Sequence, residues 1–237
     1  MTTRRRLLAA SALAPLVGGL GLPRPAYAAF PIKVLGDPSA PVEIREYSSL
    51  TCPHCADLHA NAMKPVREAY IDTGKAKLVY RDFPLDLRAL LAAATAHCAG
   101  EARFFAFLEM LFAEQQRWAG APTDAAARER MEASGLVEAW LAADRTVAEI
   151  ESLRSVAGSV NALVDLARFG GMDPAETTAC LGDFALVDWI LEAQREGQEV
   201  YDVRSTPTLI IDGATVTGAQ PFDVIAESID AALAQKS

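Results

Sequence analysis

Cys52 and Cys55 are separated by Pro53 and His54, a spacing that lets two thiols close and reopen a local disulfide. The seven residues Val42–Ser48 alternate as a strand does, and Pro53 suits the first turn of a helix, so the motif sits at a strand-to-helix junction. Cys52 then occupies a helix N-terminus, where unpaired N–H groups and the helix dipole favour a thiolate, and a protonated His54 would add to that. A stabilised thiolate is a good leaving group, so a substrate thiol would readily reduce the disulfide form at Cys52. Cys55, one turn further in, is the candidate resolving thiol.

Two other readings compete. The pair could be an inert disulfide or half of a zinc site, and His59, four residues after Cys55, has a usable spacing. No second C-x-x-C or H-x-H supplies the remaining ligands, so no metal is expected. Haem attachment fails because Ala56, not histidine, follows Cys55. The redox reading leads and needs no cofactor. His59 and His97 read as ordinary helix-surface or partly buried histidines, since no partner cluster converges on either.

The elements that must position the pair follow from patterning. A helix is expected from Pro53 to about Thr73, kinked at Pro65, and a strand over 77–83, which with the first strand makes a βαβ unit with parallel strands. Residues 86–201 are Ala- and Leu-rich amphipathic segments and read as a helical block. The cluster Phe104, Phe105, Phe107, Phe112 and Trp118 reads as its core. Residues 208–212 and 214–217 read as strands joined by an Asp212-Gly213 hairpin turn, and Pro221 opens a last helix to about Ala234. Glu46 shares parity with Val42 and Ile44, so it should face the apolar side beneath the cysteines, where a carboxyl could take up or relay the Cys55 proton.

Composition bounds the function. The 237 residues carry a formal charge of −9, which removes any general attraction to phosphate backbones or anionic lipid, and nucleic acid is set aside. Arg4, Arg5 and Arg6 precede an apolar run from Leu7 to Leu22 that ends in Ala26-Tyr27-Ala28, the pattern of a secretory signal over residues 1–28. The triple arginine suits a twin-arginine or a general export route. Cys52, Cys55, Cys98 and Cys180 would then sit in an oxidising compartment, the periplasm. Oxidised to each other, Cys98 and Cys180 would close a loop of about 80 residues and stabilise the fold.

The stretches Glu46-Tyr47-Ser48-Ser49-Leu50-Thr51-Cys52-Pro53-His54-Cys55, Asp82-Phe83-Pro84-Leu85 and Ser205-Thr206-Pro207-Thr208 resemble the DsbA family of periplasmic thiol:disulfide oxidoreductases, in its alpha-proteobacterial type. The resemblance implies an α/β, thioredoxin-like fold, βαβ then ββα, interrupted by an all-helical domain. Residues 29–85 and 202–237 would form the thioredoxin-like domain and residues 86–201 the insertion. It also implies that Cys52 is the nucleophile, Cys55 the resolving cysteine, Pro53 and His54 the dipeptide that tunes the potential, and Glu46 the buried acid. Pro207 would be a cis-proline facing the disulfide, with the Thr206 backbone open to an extended substrate segment. Some relatives carry a second, structural disulfide, the role expected of Cys98 and Cys180.

The leading expectation is an oxidase that hands its disulfide to reduced or unfolded exported proteins and is reoxidised by a membrane thiol oxidase of DsbB type. A reductase, an isomerase or a dedicated redox partner is the alternative, and behind these stand a peptide-binding module and a metal-binding protein. Isomerase relatives carry an extra N-terminal dimerisation region, and only about 13 residues separate the expected cleavage site from Val42, so a monomer is expected.

Overall fold

The alternation in Val42–Ser48 sends Val42, Ile44, Glu46 and Ser48 to one face of a strand and Glu43, Arg45 and Tyr47 to the other. The computed structural model describes residues 30–236 and is built around that strand; the expected signal, residues 1–28, lies outside the described residues. Strands β1 (Lys33–Leu35), β2 (Val42–Ser48), β3 (Ala76–Asp82), β4 (Thr208–Ile211) and β5 (Ala214–Thr217) form one sheet in the order β1-β3-β2-β4-β5. As expected of a βαβ unit, β2 and β3 are parallel, with Ile44 opposite Leu78 and Glu46 opposite Tyr80; the other pairs are antiparallel.

Sequence patterning passes over β1, because three residues are too few to show alternation. Tertiary pairing makes it a strand: Lys33 lies opposite Tyr80 and Leu35 opposite Leu78. The chain then turns at Gly36 with φ +95°, where a Cβ would stand 2.6 Å from Cγ2 of Ile71. Only glycine fits that turn without displacing Ile71.

The site helix runs through residues 53–71, α-helical over Pro53–Leu58 and Lys64–Val66, with wider π turns at His59–Met63 and Arg67–Ile71. Pro65 has no N–H to give the preceding turn, and that turn is the widened one at His59–Met63. Leu58 and Val66 on this helix, with Ile225 and Ile229 on the C-terminal helix Phe222–Ala234, bury one face of the sheet through Ile44, Leu78, Leu209 and Ile211.

From Leu87 to Val200 every regular element is helical. Phe104, Phe107, Phe112 and Trp118 are buried there in one core with Leu91 and Leu163, and Phe105 is half-buried against it. The last of these helices, Phe184–Val200, crosses the other face of the sheet. Gly197 passes so close to β2 that a Cβ would come within 2.8 Å of the Tyr47 ring, while Glu196 pairs with Arg45 at 3.1 Å and with Arg81. The β4–β5 connection is the expected turn, with Asp212 at φ +48° and Gly213 at φ +93°. No described helix is long and apolar enough to cross a membrane.

Candidate active site

Cys52 is the residue immediately before the site helix, in extended conformation with φ −79° and ψ 119°, and Pro53 occupies the first turn. The Cys52 carbonyl accepts the first helical hydrogen bonds, from Cys55 N at 3.1 Å and Ala56 N at 3.2 Å. This leaves the Cys52 sulfur over the N-terminal N–H groups. The Cys55 thiol, then Thr206 and the backbone N–H groups of Cys55 and His54, outweigh the cost of burial and bring the Cys52 thiol down to about 5. Pro53 and His54 are exposed beside it.

Both cysteines are present as free thiols. Cys55 is fully buried, and burial first, then the neighbouring Cys52, pushes its thiol far above the ordinary range. Ser49 N approaches its sulfur at 3.5 Å. The Ser48 hydroxyl lies near enough to favour the thiolate but makes no hydrogen bond in this arrangement. The pair is therefore asymmetric, with one thiol poised to ionise and the other held protonated.

The loop ahead of β4 closes over Cys52. The Thr206–Pro207 peptide bond is cis, and the Thr206 carbonyl accepts from the Cys52 sulfur at 3.3 Å. Thr206 is buried and its hydroxyl has no partner. The second sequence stretch is also adjacent: Phe83 N donates to Ser48 O at 2.8 Å, and Leu85 N donates to the Ser49 hydroxyl at 3.3 Å.

Glu46 is fully buried, on the strand face predicted from its parity. Its Oε1 lies 2.8 Å from Nε2 of His59, and its Oε2 has no partner. His59 corrects an expectation. It is neither a surface histidine nor a loosely buried one, because two carboxylates converge on it: Glu46 on one nitrogen and Glu109 on the other at 2.9 Å. Burial alone would lower its pKa, but those two carboxylates raise it to about 10. Its ring stacks on Phe112 at 4.2 Å. His97 is likewise buried and lies 2.7 Å from Asp82, between the rings of Phe104 and Trp189. The signal that placed His59 inward was available: with Cys55, Leu58, Ala62 and Val66 it forms the buried stripe of the site helix.

Gln115 was not anticipated. Its side-chain N–H₂ donates to the carbonyls of Leu50 at 2.8 Å and Cys52 at 2.9 Å, pinning the loop before the site helix. A polar residue placed four positions after Leu111 and three before Trp118, on a buried face, was the signal in the sequence.

Cys98 and Cys180 form a disulfide with a Cα–Cα distance of 6.1 Å, spanning 82 residues and joining helices Leu87–Cys98 and Pro174–Leu181. Among the described residues no cluster of three or more His, Cys, Asp or Glu side chains is placed to hold a metal.

The chain is similar to known proteins. The thioredoxin family model matches residues 32–231. A Rickettsia conorii protein named as a protein-disulfide oxidoreductase is 26% identical over 204 residues; the match takes in 86% of this chain but 61% of that protein's length, so the chain spans about three fifths of the curated relatives it matches. The crystal structure of a protein-disulfide isomerase from Novosphingobium aromaticivorans superposes with a TM-score of 0.68 at 25% identity, covering 85% of this chain and 96% of that one. That of α-DsbA1 from Wolbachia pipientis gives 0.66 at 24% identity over 91% and 95%. With a family model matched along nearly the whole described chain, its helices between β3 and β4 included, and a DsbA structure superposing on the same fold, the chain belongs to the thioredoxin family and its fold is DsbA-like.

Proposed function

We propose that the chain is an exported thiol:disulfide oxidoreductase that introduces disulfide bonds into exported proteins through Cys52 and Cys55. The observation that carries this reading is the asymmetry of the pair, a Cys52 thiol brought down to about 5 at a helix N-terminus, facing the Thr206–Pro207 loop, above a buried Cys55. A substrate thiolate attacks Cys52, Cys55 leaves as a thiolate and takes up a proton, and the substrate's second thiolate then releases Cys52. Glu46 is the acid that exchanges a proton with Cys55, Pro53 and His54 tune the potential, and the Thr206 backbone beside Pro207 pairs with an extended substrate segment. In this reading residues 1–28 direct export to the periplasm, a membrane thiol oxidase of DsbB type recycles the pair, and residues 86–201 form a helical domain inserted between 29–85 and 202–237. The protein works as a monomer, and the Cys98–Cys180 bond is structural.

The likeness to a solved protein named as an isomerase favours a second reading, disulfide rearrangement or reduction, which uses the same pair at a lower potential. The equilibrium reduction potential of Cys52–Cys55 against glutathione, in a Cys98→Ser/Cys180→Ser background, separates them. A value near the DsbA family's about −120 mV supports the oxidase, and one near thioredoxin's about −270 mV sinks it in favour of a reductase.

A further inference from the structure

Each full redox cycle moves one proton onto Cys55 and one off it, and Cys55 and Glu46 are both fully buried, so Glu46 alone cannot exchange protons with water. We propose that His59 and Glu109 are the outlet of that buried acid, carrying protons between the Glu46 carboxylate and the solvent-facing clefts beside the site helix. The proposal rests on the redox reading of Cys52 and Cys55.

A static ion pair needs one carboxylate. Here the two nitrogens of one imidazole contact two: Glu46, with a side chain 0% exposed, and Glu109, 55% exposed, while the His59 side chain itself is 2% exposed. An imidazole can release a proton from one nitrogen as it gains one at the other, so it can join a dry carboxylate to a wet one without moving. Stacking on Phe112 holds the ring in the orientation that keeps both contacts. His59 and Glu109 line two clefts. One, of about 450 Å³, also has Met63, Ile71 and Leu78 in its wall; the other, of about 340 Å³, adjoins Asp57 and Phe112.

The charges facing this line from every packed element are few. The sheet presents Glu46 and Tyr80, its register partner. Burial first, then Asp82, Glu46, Cys55 and Glu109, holds the Tyr80 phenol well above its ordinary range, so it stays neutral and takes no part as a charge. The site helix adds Cys55, Asp57 at the second cleft and, at the first, Lys64, Arg67 and Glu68 with Asp72 just beyond; the insertion adds Glu109.

When a substrate thiolate attacks Cys52, the Cys52–Cys55 bond breaks and its electron pair leaves on Cys55. Glu46 passes a proton to that thiolate, His59 passes one from Nε2 to Glu46, and Nδ1 recovers one through Glu109 from solvent. In the reverse direction the Cys55 thiol gives its proton to Glu46, its sulfur attacks Cys52 of a mixed disulfide, the departing thiolate takes the electron pair, and the proton leaves by His59 and Glu109.

The test is single-turnover resolution of a glutathione mixed disulfide at Cys52, read as release of glutathione, in wild type and Glu109→Gln. His59→Lys serves as a second variant that keeps a cation against Glu46 but has only one titrating nitrogen. The outlet requires both variants to slow resolution about tenfold at neutral pH, within the range of general acid–base effects. The loss exceeds any change in the attack of the Cys52 thiolate on oxidised glutathione, a step that needs no proton at Cys55, and added imidazole buffer partly restores the rate in Glu109→Gln. Unchanged resolution in Glu109→Gln across the pH range, with exchange at Cys52 intact, overturns the outlet alone. Absence of any exchange with glutathione in wild type removes the redox reading and the outlet with it.

Discussion

The side chain of Gln115 donates to the Cys52 carbonyl at 2.9 Å, and that same carbonyl accepts the first N–H groups of the site helix. A residue of the insertion thus fixes the peptide from which the reactive sulfur projects. Gln115→Leu leaves the Leu50 carbonyl without its Gln115 donor and weakens the hold on Cys52. The expected loss is about 1–3 kcal/mol of stability, the cost of unpairing buried polar groups, measured by urea unfolding. A change below about 0.5 kcal/mol, the scatter of ordinary surface substitutions, would mean the loop holds itself.

Alkylation of Cys52 in the dithiol form reads its ionisation directly. The rate of reaction with iodoacetamide, followed with thiolate absorbance, should be half-maximal near pH 5, since the thiol is held at about 5. The sign for stability follows. A folded pKa depressed below the unfolded value, about 8.5, stabilises the folded dithiol fully above that value. The gain is lost as pH falls through about 5. A midpoint near 8 would show an ordinary thiol and remove the argument for a reactive Cys52.

His59 has the opposite sign. Its folded pKa, about 10, lies above its ordinary value of about 6.5, so its contribution is full below about pH 6.5 and is lost progressively as pH rises from there through about 10. Removing one partner of a buried pair strands the other, so His59→Gln should cost about 3–5 kcal/mol at pH 6. The difference from wild type should shrink in the alkaline limb of a pH series of unfolding curves. A difference independent of pH up to 10.5 would show that His59 acts by packing alone.

Cys98→Ser/Cys180→Ser opens a covalent loop that spans 82 residues. The expected cost is about 2–5 kcal/mol, seen as a lower Tm under oxidising conditions. Equal stability of wild type and variant would show that the helices hold one another without the bond.

The βαβ unit, the hairpin and the position of Cys52 were legible because each rests on local chemistry: alternation in Val42–Ser48, Pro53 opening a helix, Asp212-Gly213 in a turn that needs positive φ at both positions. Parity alone put Glu46 inside. The second carboxylate on its partner His59 was not legible, because Glu109 lies 50 residues from His59 on a helix of the insertion and no local pattern links the two. Gln115 and β1 escaped for the same reason. A single polar side chain on an apolar face and a three-residue strand acquire meaning only from what the distant chain brings against them.

The low pKa of Cys52 bears on how the two cysteine pairs differ. A thiolate that is better stabilised in the folded protein than in the unfolded chain stabilises the folded dithiol, and by the closed cycle it takes that amount away from whatever the Cys52–Cys55 bond adds to stability. The bond between Cys98 and Cys180 ties together two helices far apart in sequence. One pair is closed between two helices, while the other stands open at a helix end where the fold favours the thiolate.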